Sequence, residues 1–83
     1  MKKVGDKCNL SDLKIGQKAV VKKLNFENKE IRRHLLDMGV TRGVLIKIKK
    51  IAPMGEPIDL ELRGYELALR KSELKSIEVE VVG

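Results

Sequence analysis

No group of side chains in this sequence combines the residue types and the spacing that catalysis requires. His34 is the single histidine and Cys8 the single cysteine of the chain. A nucleophile needs a base within hydrogen-bond reach, and the sequence alone pairs neither residue with such a partner. No glycine-rich stretch precedes a helix in the arrangement that cradles a phosphate. The sequence therefore predicts no catalytic residue and favours a protein that acts by binding.

A metal site has equally little support in the spacing of candidate ligands. His34 has no second ligand three or four residues away, as a helical metal site requires. Cys8 has neither a second cysteine nor a nearby histidine. We predict no metal ligand and no cofactor. A weak transition-metal site that combines Cys8, His34 and distant acids is kept as an alternative function.

The composition indicates one small folded domain that spans residues 1–83. Its apolar content is ordinary, and Phe26 and Tyr65 are its only aromatic residues. A single cysteine cannot form an internal disulfide, which is typical of intracellular proteins. No apolar run approaches the ~20 residues of a membrane span, and charged residues replace the apolar region of a signal peptide. We expect a cytoplasmic protein without direct membrane insertion.

Positive charge is concentrated in the first part of the chain. Residues 1–50 carry 14 Lys and Arg against 5 Asp and Glu, a net charge of +9, whereas residues 51–83 carry 4 against 7, a net charge of −3. This asymmetry suits an acidic partner, a nucleic acid or an anionic surface. A basic small barrel that binds nucleic acid is therefore a second alternative. Two aromatic residues are too few for a stacking platform, which argues against it.

The spacing of apolar residues predicts five strands and one helix. Ile31, Leu35 and Met38 recur at helical spacing, so we place a helix at about 29–38. Alternating segments predict strands, at 18–24, 44–51, 58–63, 66–70 and 77–81. Residues 1–8 show no period and are predicted to be a loose leader. The fold class is thus mainly β, a small α+β domain: a five-stranded barrel with the helix inserted between the first two strands.

Glycines and prolines mark where these elements turn. Gly39 stands at the end of the helix, where a left-handed residue closes a Schellman motif with Val40 just beyond it. Gly64 and Tyr65 suit a two-residue hairpin turn with Gly at the first central position. Two prolines break the sheet in the loop 52–57. We assign structural roles to Gly39 and Gly64.

Three blocks of this sequence resemble the FeoA family. They are Leu-Leu-Asp-Met-Gly-Val-Thr-Arg-Gly at 35–43, Ala-Pro-Met-Gly-Glu-Pro-Ile at 52–58 and Arg-Gly-Tyr-Glu-Leu-Ala-Leu-Arg at 63–70. The resemblance implies an SH3-like β-barrel and a cytosolic accessory protein of bacterial ferrous iron uptake. It also implies a partner, the membrane transporter FeoB with its GTP-hydrolysing domain. Transition-metal binding is a family-level expectation, and no catalytic residue is carried over because the family has none agreed.

The corner after the helix, the proline loop and the hairpin turn are the expected contact segments for such a partner. Met54 and Leu45 are apolar at positions that the pattern predicts to be exposed. Each glycine in these segments has a competing explanation in backbone geometry. Self-association through a strand edge or the Met54 loop stays open. The candidate partner-binding residues are Thr41, Arg42, Gly43, Pro53, Met54, Gly55 and Tyr65.

Overall fold

A computed structural model, which describes residues 3–83, shows one antiparallel sheet of six strands with two helices. The strands are β1 Lys7–Asn9, β2 Lys18–Leu24, β3 Leu45–Ile51, β4 Ile58–Leu62, β5 Tyr65–Leu69 and β6 Ile77–Val81. The helices are α1 Lys29–Asp37 and α2 Lys71–Leu74, and a single 3-10 turn covers Leu10–Asp12. The strand order is β1-β6-β2-β3-β4-β5. The prediction of a mainly β domain is confirmed.

Buried and more exposed side chains alternate along the strands, and the buried ones form the core. In β4, Ile58, Leu60 and Leu62 are buried while the residues between them are half-exposed, since successive side chains point to opposite faces. The buried residues of β2 to β6 join leucines of the 3-10 turn and of both helices in a single cluster. Because the inner faces of all these strands meet one core, the sheet curves around it in the manner of a small barrel.

The predicted loose leader over residues 1–8 is wrong for its second half. Lys7–Asn9 forms a strand that pairs with β6, with Cys8 opposite Val79. The Gly5 amide also donates a hydrogen bond to the Val81 carbonyl at 2.7 Å. Three residues are too few to show an alternating pattern, and the pairing partner is far away in sequence, so no local signal marked this strand. Residues 1 and 2 lie outside the described residues.

The helix lies between Lys18–Leu24 and Leu45–Ile51, the two strands predicted to flank it, and the extra strand β1 only makes these the second and third strands. Within α1 the predicted apolar stripe is only partly buried. Leu35 is fully buried, Met38 at the C-cap is half-buried, and Ile31 remains 37% exposed. The helix is therefore anchored to the core mainly through its last turn.

The start of α1 is capped by the side chain of Asn28. The Asn28 Oδ1 accepts hydrogen bonds from the amides of Glu30 and Ile31 at 2.9 and 3.3 Å. We expect Asn28→Ala to lower the free energy of unfolding by about 1 kcal/mol, because two amides lose their acceptor. Urea unfolding of both proteins measures this, with Asn28→Asp as the control that keeps the cap. Equal losses in the two variants would contradict the capping role.

The turn between β4 and β5 is displaced by one residue from its predicted position. Leu62 pairs with Tyr65, so the two central residues of the turn are Arg63 and Gly64. Their φ angles are +50° and +84°, the pattern of a type I′ hairpin turn. The prediction of Gly64-Tyr65 as the turn is wrong, since the pairing across β4 and β5 determines which residues are left between them. Gly64 still serves the turn, and Tyr65 begins β5.

Candidate functional site

The candidate contact residues lie at opposite ends of the β3–β4 hairpin. β3 begins beside the corner after α1 and ends at the proline loop, and its seven residues span about 20 Å. β4 runs back, with Ile51 paired to Ile58 and Lys47 to Glu61. The β4–β5 turn is thus at the same end as the corner, while the loop 52–57 is at the other end. The structure brings two of the three predicted segments together.

The corner after α1 is closed by the Schellman motif that the sequence predicts. The Gly39 amide donates to the Leu36 carbonyl at 3.0 Å, and the Val40 amide donates to the Leu35 carbonyl at 2.9 Å. Gly39 has a φ of +96°, a backbone conformation that a side chain disfavours. Val40 is fully buried, so this closure also fixes a core residue.

The β4–β5 turn packs directly against this corner. The Arg63 guanidinium donates a hydrogen bond from Nη2 to the Thr41 hydroxyl at 3.1 Å. The Tyr65 hydroxyl lies so near Gly39 that a Cβ added there would be 2.6 Å from its oxygen. The Tyr65 side chain is nevertheless 41% exposed. Thr41 and Tyr65 therefore hold two chain segments together, and both also reach the surface.

Arg63 is the residue of this corner that sequence reasoning missed. The alternation of β4 placed it on a strand face, and nothing about an arginine at a strand end indicates a hydrogen bond 22 residues away. The left-handed turn that directs it toward Thr41 depends on the pairing of Leu62 with Tyr65. The contact between Arg63 and Thr41 could therefore be found only once the pairing of Leu62 with Tyr65 was known.

Gly43 and Arg42 differ in role although they are adjacent. The Gly43 amide donates to the Val21 carbonyl at 2.8 Å, and the Val21 amide donates to the Val44 carbonyl at 2.9 Å, so the backbone here joins the corner to β2. Arg42 is exposed, and its side chain lines a groove together with Lys22 and Lys23. Arg42 is thus available to a partner, whereas Gly43 has an evident structural function.

The proline loop forms a separate surface. Met54 is 93% exposed, and Pro53 is exposed beside it. Gly55 has a φ of +91°, and its amide donates to the Ala52 carbonyl at 2.8 Å, which fixes the bend under Met54. Met54 and Leu45, which is 48% exposed, are both at the surface as their pattern predicts. An unbranched apolar side chain held out in this way suits a contact with another protein.

Within the described range 3–83, no three His, Cys, Asp or Glu side chains are placed to hold a metal ion together. In the same range, one ion pair is formed, between Lys49 Nζ and Glu61 Oε2 at 3.6 Å. This pair is partly exposed, so its contribution to stability is small. Neither helix of the described part of the chain is long and apolar enough to cross a membrane.

Comparison with known proteins identifies the family. The family model described as the FeoA domain matches residues 8–81. A Porphyromonas gingivalis protein named Fe(2+) transport protein A/Fe(2+) transporter FeoB fusion protein is 31% identical over 74 residues, which are 88% of this chain. The chain spans only 8% of the length of that fusion protein.

Solved structures agree with this match. A FeoA-like protein from Clostridium acetobutylicum is 46% identical with a TM-score of 0.84, and the match covers 100% of this chain and 92% of that chain. FeoA from Stenotrophomonas maltophilia, solved in complex with zinc and described as a prokaryotic SH3 domain protein, is 31% identical with a TM-score of 0.76. That match covers 87% of this chain and 88% of the other. The SH3-like fold is confirmed, and the family match over nearly the whole length shows that this chain belongs to the FeoA family.

Proposed function

We propose that this chain is a non-catalytic accessory protein of bacterial ferrous iron uptake, which binds a FeoB-type transporter on its cytosolic side. The observation that carries this proposal is the Porphyromonas gingivalis relative, whose name joins Fe(2+) transport protein A and the transporter FeoB in one fusion protein. A covalent link keeps two modules at high local concentration, which benefits partners that act on each other. In a separate chain, the same association requires a docking surface.

The exposed candidate residues supply two such surfaces. Arg42 presents a cation beside the corner after α1, and Met54 presents an apolar side chain at the other end of the β3–β4 hairpin. Thr41, Gly43 and Tyr65 surround the first surface, and Pro53 and Gly55 surround the second. Because the two ends are about 20 Å apart, one partner domain contacts both only across a broad interface.

Binding to the purified transporter tests this function. The full chain is immobilised, and the transporter in lipid nanodiscs is titrated over it. We expect saturable binding that Arg42→Ser and Met54→Ser each weaken, while the melting temperature stays within about 2 °C because both side chains are exposed. Lys14→Ser, at an exposed site outside the candidate contact residues, is the matched control and should bind as the unaltered protein does.

Iron uptake by cells provides the second readout. A strain that lacks this protein should take up less ferrous iron, and the unaltered gene should restore uptake more fully than the Arg42→Ser or Met54→Ser gene. The absence of binding together with normal uptake in the deletion strain would refute the proposed function. Binding that neither variant changes would refute the two surfaces and leave the function in place.

A further inference from the structure

A groove lined by cations and leucines lies between α1 and the end of β2. Its volume is about 420 Å³. The residues that line it, which we call the α1–β2 groove, are Lys22, Lys23, Leu24, Arg32, Leu36 and Arg42. Lys22, Lys23 and Arg42 also border an adjoining cavity of about 540 Å³ that extends toward β1 and β6. The two cavities therefore share these three cations.

The groove lies where β2 continues beyond its paired region with β3. The β2–β3 register ends at Val20 and Leu45, and two further backbone hydrogen bonds join Val21 to the corner. Beyond a register shift at Lys22, Lys23 and Leu24 pair with β6. Among residues 3–83, the sheet register gives these two no partner on the other side. The last part of β2 thus has one open edge, and α1 lies across from it.

Positive charge exceeds negative charge in and around the groove. Lys22, Lys23, Arg32 and Arg42 are all exposed, and the single ion pair in the described part of the chain is elsewhere, between Lys49 and Glu61. No acidic residue lines the groove itself. Glu78 is opposite Lys23 in the β2–β6 register, and Glu78 and Glu80 border the adjoining cavity. Four cations against these two carboxylates leave a net positive charge, which attracts a ligand that carries several negative charges.

The chemistry between the cations favours carboxylates on a peptide over phosphates. Leu24 and Leu36 are half-buried and offer aliphatic surface, which a free phosphate cannot use. The helix contributes Arg32 from the end of its first turn and Leu36 from its last turn. The Arg32 amide already donates to the Asn28 carbonyl at 3.2 Å, so this part of the helix offers no cradle of free backbone amides. No aromatic ring lines the groove, and single-stranded nucleic acid would lack a stacking surface.

We propose that the α1–β2 groove binds an extended segment of a protein partner, in which Asp or Glu residues are interspersed with aliphatic residues. This inference rests on the proposed function, because we place that segment in the cytosolic part of the FeoB-type transporter. The carboxylates pair with the groove cations, and the aliphatic side chains cover Leu24 and Leu36. The open edge of β2 lets the segment lie alongside Lys23 and Leu24 as an added strand.

Charge reversal in the groove is the first test. We expect Lys23→Glu combined with Arg42→Glu to weaken binding of the soluble cytosolic part of the transporter by about tenfold or more, and to flatten its salt dependence. Lys14→Glu combined with Lys75→Glu changes the net charge equally at exposed sites outside the groove. That control should change binding by less than about twofold, since only long-range attraction is altered. Equal weakening by both double variants would overturn the proposal.

Removal of the aliphatic contact separates a peptide site from a plain anion site. Leu36→Gln keeps all four cations and should weaken binding about three- to tenfold without changing the salt dependence, because apolar contact area is lost. Thermal unfolding checks that the helix remains folded. Unchanged affinity in a folded Leu36→Gln protein would overturn the peptide assignment.

A probe that does not involve the transporter separates failure of the groove from failure of the proposed function. The ¹⁵N-labelled full chain is titrated with a synthetic peptide of alternating Glu and Leu, with a Gln–Leu peptide, and with inorganic phosphate. We expect the Glu–Leu peptide alone to shift the amide signals of Lys23, Leu24, Leu36 and Arg42. These shifts without transporter binding would support the groove and refute its proposed partner.

Two other results, one from that titration and one from a vesicle-binding experiment, would count against the groove. Equal shifts with phosphate would show a plain anion site. Binding to vesicles of anionic lipid that the groove double variant abolishes, without any response to the peptide, would show a membrane-facing surface. Either result would overturn the proposal while leaving the transporter experiment to decide the function.

Discussion

Leu35→Ala is expected to lower the free energy of unfolding by about 2–5 kcal/mol, the largest effect of any single change considered for this protein. Leu35 is fully buried, and within α1, all of which the structure describes, it is the one buried residue. Truncation removes apolar contact and leaves a cavity under the last turn of the helix. A domain of this size has only about 5–15 kcal/mol of stability, so the loss is a large share.

Chemical denaturation of Leu35→Ala and Ile31→Ala measures this difference. Ile31 occupies the same predicted stripe but is 37% exposed. We expect Ile31→Ala to cost less than about 1 kcal/mol, because little surface returns to water and alanine favours the helix. Comparable losses in the two variants would contradict the view that the last turn anchors α1.

Gly39→Val is expected to destabilise the protein by about 2 kcal/mol or more, for two separate reasons. The φ of +96° places the residue in the region that a β-branched side chain avoids. In addition, the new Cβ would lie 2.6 Å from the Tyr65 hydroxyl oxygen, so the tyrosine must move. For a domain of this length we expect the melting temperature to fall by about 10 °C.

Smaller substitutions separate backbone strain from the contact with Tyr65. Gly43 has a φ of +90°, and a Cβ added there would meet only open space, so Gly43→Ala measures strain without a contact. Gly39→Ala should lower the free energy of unfolding more than Gly43→Ala does. Adding Tyr65→Phe to Gly39→Ala should reduce this difference, because the tyrosine oxygen that crowds the new Cβ is removed. A Gly39→Ala variant with the melting temperature of the unaltered protein would show that the cap does not require glycine.

Local patterns in the sequence predict most of the secondary structure and one motif in detail. The strand 18–24 and the last strand have the predicted bounds, and α1 starts at Lys29 and ends one residue before its predicted end. The Schellman motif follows from Leu35, Gly39 and Val40 because all its hydrogen bonds lie within six residues. Such features depend on the backbone preferences of neighbouring residues, which the sequence shows directly.

Features that join distant segments are not visible in this way. β1 forms because Cys8 finds Val79 across the sheet, and the hairpin turn shifts to Arg63 because Leu62 pairs with Tyr65. Ile31 is exposed although its spacing matches that of Leu35, since only the packing of α1 determines which part of an apolar stripe meets the core.

For the candidate surfaces, the sequence determines the residue types, and the tertiary structure determines which of them meet. The excess of Lys and Arg in residues 1–50, the corner 35–43 and the exposure of Met54 are all readable from the chain. The hydrogen bond between Arg63 and Thr41 and the gathering of Arg42 with Lys23 are not readable, because each joins residues far apart in the sequence. Such contacts arise only when strand pairing and core packing bring separate segments together.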